Sequence, residues 1–164
     1  MKTLLPALFA ASVLALPAVS FAQSNTVAPG DDAAQAVAHY GAPAETYALP
    51  DGGKRLLWPT QPFGSTTRAV DVAADGKVQR VSQVLQPAEF NQAQVGAWTQ
   101  KDVLAHFGRP AESTWYPLAH REVWSYRYVE GGVWHEMYNF YFDRGGVLRL
   151  TQKSPDLLNG DSVD

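Results

Sequence analysis

The sequence predicts an α+β fold made of two tandem copies of one small module. Each copy is one or two short helices packed on a three-stranded antiparallel meander. Three observations predict this. A ten-residue segment occurs twice, as Ala-Val-Ala-His-Tyr-Gly-Ala-Pro-Ala-Glu at 36–45 and Val-Leu-Ala-His-Phe-Gly-Arg-Pro-Ala-Glu at 103–112; self-similarity of this kind sets the architecture before any other signal. Both copies carry a helix stop, Gly41 with Pro43 and Gly108 with Pro110, where glycine accepts a left-handed backbone and proline prevents continuation. Behind each stop come apolar stretches parted by tight-turn residues such as Asp75-Gly76 and Glu130-Gly131-Gly132, the pattern of hairpins.

In chain order, Asp31 or Asp32 caps a helix over 33–40, since a carboxylate there accepts the unpaired N–H groups of the first turn. Strands follow at 54–58, 66–73 and 77–85. In the last of these Val78, Val81 and Val84 are spaced by three, which suits a strand only with a bulge. Residues 88–95 make a short helix broken by Gly96. Thr99 then caps a helix over 100–107, with Asp102 three residues on completing a capping box. Val103, Leu104 and Phe107 give it an apolar stripe. Strands at 121–129, 133–142 and 147–153 complete the second copy.

The first 22 residues read as a secretory signal peptide: Lys2, an apolar run from Leu4 to Val19, and Ser20-Phe21-Ala22 with cleavage after Ala22. The run is too short and too broken by Pro6 and Pro17 to span a bilayer. The domain organisation expected is signal peptide 1–22, flexible mature N-terminus 23–32, first module 33–86, second module 87–155 and C-terminal tail 156–164. There is no cysteine, so the expected periplasmic protein is held by its core alone. After Ala22 there are 12 basic and 16 acidic residues and no basic stripe, which argues against nucleic acid and against adsorption to anionic lipid.

No residue set points to catalysis or to a cofactor. His39 and His106 lack ligand-type spacing and read as cations near helix C-termini. Glu45 and Glu112 recur because the segment recurs. Ser113, His120 and Asp143 lack a nucleophile elbow. The glycine pairs lack phosphate-loop context and read as turns. The aromatic cluster between Trp98 and Phe142 is the main lead. Alternation places Trp124, Tyr126, Tyr128, Trp134, Tyr138, Phe140 and Phe142 toward the helices. It leaves Arg127, Met137, Asn139, Tyr141 and Arg149 on the open sheet face. With Trp98 and Trp115 these form the candidate protein-binding surface, because Trp, Tyr, Arg and Met are enriched in such patches.

In its second copy the chain reads Gly96-Ala97-Trp98-Thr99, Phe107-Gly108-Arg109-Pro110, Trp124-Ser125-Tyr126, Phe140-Tyr141-Phe142-Asp143 and Gly146-Val147-Leu148. In this order these resemble the signature of the BamE (SmpA/OmlA) family of bacterial outer-membrane assembly lipoproteins. The first copy keeps Tyr40-Gly41-Ala42-Pro43, Trp58 and Asp75-Gly76-Lys77-Val78. The tandem arrangement is similar to that of β-lactamase inhibitory protein. The resemblance implies two BamE-like modules and a non-enzymatic protein-binding role with another envelope protein, in outer-membrane protein assembly or envelope maintenance. Without the family's lipobox cysteine, no direct lipid anchor is expected and any outer-membrane association runs through a partner. The alternative is a secreted or periplasmic inhibitor or small-ligand-binding protein.

Overall fold

The computed structural model describes residues 26–159. The expected signal peptide at 1–22 with its expected cleavage point, residues 23–25 and residues 160–164 lie outside the described residues. The elements are α1 (Ala33–Tyr40), β1 (Glu45–Ala48), β2 (Lys54–Pro59), β3 (Thr67–Val72), β4 (Val78–Gln83), α2 (Pro87–Phe90), α3 (Gln100–Phe107), β5 (Glu112–Tyr116), β6 (Arg121–Glu130), β7 (Trp134–Phe142) and β8 (Leu148–Pro155). They form two four-stranded antiparallel sheets, in the orders β1-β2-β3-β4 and β5-β6-β7-β8. The fold is α+β, but the expected three-stranded meanders each gain a strand. The additions, β1 and β5, are edge strands just after the two helix stops. β1 alternates between half-buried and exposed and β5 is exposed throughout, so neither shows the apolar alternation by which a strand is recognised.

Local chemistry sets the helix ends. Gln35 Oε1 accepts the Asp32 N–H at 2.8 Å, and Asp102 Oδ2 accepts the Thr99 N–H at 2.7 Å. Gly41 and Gly108 close α1 and α3 with φ of +82° and +80° and extended ψ, a region that only glycine enters without strain. The helix expected at 88–95 is the single turn α2. Within the stretch expected to be flexible, Gly30 N–H donates to the Val78 carbonyl and Asp31 accepts the Val78 N–H, both at 2.8 Å.

The valine spacing in β4 has a simple cause. Val72 pairs with Val78 while Asp71 pairs with Arg80, so Gln79 is the extra residue of a bulge. The bulge lets Val78 and Val81 both pack under α1. Val84 turns to the other face and joins the larger core. The same bulge recurs in β8, where Phe142 pairs with Leu148 and Tyr141 with Leu150, leaving Arg149 over.

The repeat extends to the core. Ala36, Leu56, Val70, Val72 and Val78 form the cluster beneath α1. Their counterparts Val103, Trp124, Phe140, Phe142 and Leu148 all belong to the larger cluster. That cluster also takes in Leu57, Ala69, Val84 and Leu85 from the far side of the first sheet. The layers are therefore α1, first sheet, α2 with α3, second sheet. Phe90 stacks on Tyr138 at 4.1 Å, and Phe107 meets Phe140 at 5.2 Å and Tyr126 at 5.8 Å. Trp134, expected in this core, is 69% exposed. β6 and β7 have 10 and 9 residues against 6 each in β2 and β3, so the hairpin carries Trp134 beyond the helix layer.

The two glycine stops differ in surroundings, and this is testable. A Cβ on Gly41 meets open space, whereas one on Gly108 comes within 3.3 Å of Leu57 Cδ1 and 3.4 Å of Glu45 Oε1. Gly41→Ala should cost about 1–3 kcal/mol from backbone strain. Gly108→Ala should cost at least ~1 kcal/mol more from overpacking. Urea unfolding midpoints measure both, and equal losses would contradict the close packing of α3 on the first sheet.

Candidate functional site

The two sheets treat their non-helical faces differently. In the first sheet, the face opposite α1 presents Leu57 and Ala69 and is covered by the α2–α3 layer. In the second sheet, the face opposite α3 is uncovered and holds a hollow of about 400 Å³. β5 contributes Glu112, Thr114 and Tyr116 to it, β7 contributes Met137, Asn139 and Tyr141, and Pro155–Leu158 close one end. Where the first sheet has Leu57 and Ala69, the register of the second places Ser125 and Asn139. Ser125 Oγ donates to Asn139 Oδ1 at 2.7 Å, and Asn139 Nδ2 donates to Ser154 Oγ at 3.0 Å. Tyr141 OH donates to Gln152 Oε1 at 3.2 Å. This face has a polar floor whose groups satisfy one another.

Of the seven residues singled out by sequence, Arg127, Met137, Asn139 and Tyr141 come together on this face. Three of them are more buried than an open face implies: Arg127 is 4% exposed, Met137 7% and Asn139 8%. The Arg127 guanidinium is fully engaged. Nε pairs with Asp156 Oδ2 at 3.1 Å, Nη2 with Glu112 Oε1 at 2.8 Å, and Nη1 donates to the Pro62 carbonyl at 2.5 Å. Arg127 therefore ties three distant segments together beneath the hollow rather than projecting from it as an anchor. Tyr141 is half-buried, and the large apolar side chains open to a partner, missed by sequence reasoning, are Tyr116, Leu150, Leu157 and Leu158. Alternation from Glu112 through Thr114 is a signal for Tyr116. No local pattern marks Asp156 or the leucines after it.

The other three lie elsewhere. Arg149 is the bulged residue, so alternation fails there; its Nε pairs with Asp143 Oδ2 at 2.7 Å at the end of the sheet. Trp98 packs at the junction of the halves, 5.3 Å from the His106 ring and 6.3 Å from Phe107. Trp115 sits on β5 between Thr114 and Tyr116, facing away from the hollow they line, and is 48% exposed.

The recurrent histidines and glutamates diverge. His39 is exposed, its ring edge against Tyr40. His106 lies in the α3–first sheet junction with Nε2 2.9 Å from Glu89 Oε2. Glu89 is buried and also paired with Arg80, while Arg55 beside them pairs with Asp71 at 2.5 Å and 2.8 Å. Burial, and then the charge of Arg55, push the His106 pKa below its ordinary value against the opposing pull of Glu89. His106 is thus a neutral interface group, not the helix-end cation expected. Glu45 accepts the Tyr47 hydroxyl at 2.5 Å and the Arg109 N–H at 3.1 Å. Tyr47 is pushed up to about 12 by burial and by Glu45. Glu112 instead rims the hollow and holds Arg127.

Ser113 bonds Glu122, His120 accepts from Arg144 and Asp143 pairs with Arg149. Among the described residues no group of three or more His, Asp or Glu is placed to hold a metal ion, and no helix is long and apolar enough to cross a membrane. Comparison with protein-family models, with curated proteins and with solved structures returns no match.

Two outcomes follow for stability. Arg127→Ala should destabilise the fold by about 3–5 kcal/mol, because it leaves the buried Asp156 without its counter-charge, held only by the Leu158 N–H and Asn159 Nδ2; thermal unfolding checks this. The His106 effect has a definite sign. Its folded pKa lies below the unfolded value of 6.5, so the unfolded chain takes up the proton first as pH falls. The stabilisation is complete above 6.5 and declines below it, by at most about 1.4 kcal/mol per pH unit until the folded pKa is reached. Urea midpoints at pH 7.5 and 5.5 should differ less in His106→Gln than in the wild type.

Proposed function

We propose that this chain is a non-enzymatic protein-binding module of the bacterial periplasm that docks another envelope protein on the open face of its second sheet. The observation that carries the reading is the asymmetry between the sheets: one non-helical face is buried inside the molecule, and its counterpart is left bare over a preformed hollow. A floor locked by Arg127 and Asn139 loses little conformational freedom on binding, which favours association. Tyr141, Tyr116, Leu150 and Leu157 around it supply aromatic and apolar contact area of the kind that dominates interfaces. The resemblance to BamE-like units supports a role in outer-membrane protein assembly or envelope maintenance. With no lipobox cysteine, membrane association would run through the partner.

The test is affinity capture from an envelope fraction with quantitative mass spectrometry. Substituting Tyr141, Leu150 and Leu157 by Ser should lower recovery of the specific partner at least about tenfold, one hot-spot residue being worth that much, with no change in the melting curve. Val37→Ser on α1 should leave recovery unchanged. Equal recovery by the triple variant would remove this face from the function.

A further inference from the structure

An uncovered sheet edge offers a row of free N–H and C=O groups to any passing strand, and folded proteins blunt such edges. Three of the four edges here are blunted. β1 lies along the end of α3, where Glu45 accepts the Arg109 N–H. β4 and β8 are each broken by a one-residue bulge and bonded beside it by the segment before a helix, Gly30 to Val78 and Gly96 to Leu148, both at 2.8 Å. β5 has none of these devices. Its five residues are all exposed, its pairing with β6 has no register shift, and it contains no proline and no basic residue. Among the described residues its outer backbone edge makes no backbone hydrogen bond to another segment. Apolar surface is also left bare there: Trp115 is 48% exposed, Tyr116 51% and Leu118, just beyond, entirely so.

We infer that β5 is the two-fold contact of a homodimer, in which the β5 strands of two copies pair antiparallel and join both second sheets into one eight-stranded sheet. The register that uses all five residues puts Thr114 opposite its own mate, Glu112 opposite Tyr116 and Ser113 opposite Trp115. The only charge on the strand then faces a phenol rather than a second carboxylate, and like charges directly opposed would weaken the pair. A Tyr–Glu hydrogen bond of this kind already exists on β1, from Tyr47 to Glu45. The contact is isologous and closes on itself. Because Glu112, Thr114 and Tyr116 share one side of β5, the register keeps the two hollows on the same side of the joined sheet, adjacent across the axis. The inference rests on the edge alone and stands or falls independently of the partner-binding reading.

The test uses the whole chain, which has no cysteine of its own. Sedimentation equilibrium should give twice the chain mass at concentrations up to about 1 mM. Thr114→Cys should oxidise to a covalent dimer, since directly opposed residues on antiparallel strands fall within disulfide reach, while Ser113→Cys, which faces Trp115, should not. Thr114→Lys sets two ammonium groups against each other and should weaken dimerisation by up to about fivefold with unchanged circular dichroism. A monomer throughout that range, as expected of an edge reserved for a strand from another protein, would overturn the inference. So would a Thr114→Lys dimer as tight as the wild type, or equally fast oxidation of both cysteine variants.

Discussion

Helix α3 is used twice, and the rest of the molecule depends on that. One side rests on the second sheet, through Val103 and Phe107 against Phe140 and Tyr126; the other side and its C-terminal end lie against the first sheet at Leu57. The cluster beneath α1 contains only one alanine, one leucine and three valines as fully buried residues, a small core for a free-standing unit. Joined through α3, the two halves share one larger core. Charged groups are buried at the same junction. They are tolerated because each is paired: Glu89 with Arg80, with the neutral His106 ring bonded to it as well, and Arg55 with Asp71. Such pairs add little net stability, but each becomes costly when one partner is removed, so they favour this one arrangement of the halves over others.

The stack of layers ends at the second sheet, and its last face is built differently for that reason. Positions that are Leu57 and Ala69 inside the molecule become Ser125 and Asn139 at its end, groups that bond one another and tolerate water. Arg127 then gathers Pro62, Glu112 and Asp156 beneath this face, so the rim of the hollow is fixed by residues far apart in the chain. A rigid polar floor bordered by exposed aromatic and aliphatic side chains is the physical basis for a docking role.

How much of this is legible in the sequence depends on how local each cause is. Helices over 33–40 and 100–107 are read with their ends, because caps and glycine stops are set by a few neighbouring residues. The strands β1 and β5 are not read, because an edge strand with one bonded side needs no apolar alternation. Arg149 is placed on the open face by a period of two that the bulge interrupts. Its mate in the first copy, signalled by the valine spacing of β4, was the available warning. Trp134 has the correct parity but lies past the end of the helix layer, a matter of hairpin length. The burial of Arg127 depends on Asp156 and Pro62, about 30 and 65 residues away, and no pattern near Arg127 announces them.

The central claim, that α3 welds two repeated halves into one cooperative unit, is tested most directly by native-state hydrogen exchange on the whole chain. The amides of Leu57 and Ala69 in the first sheet should open with the same free energy as those of Tyr126 and Phe140 in the second, equal to that of global unfolding. A first sheet that opens several kcal/mol below the second, with α3 still protected, would contradict the shared helix as the organising element.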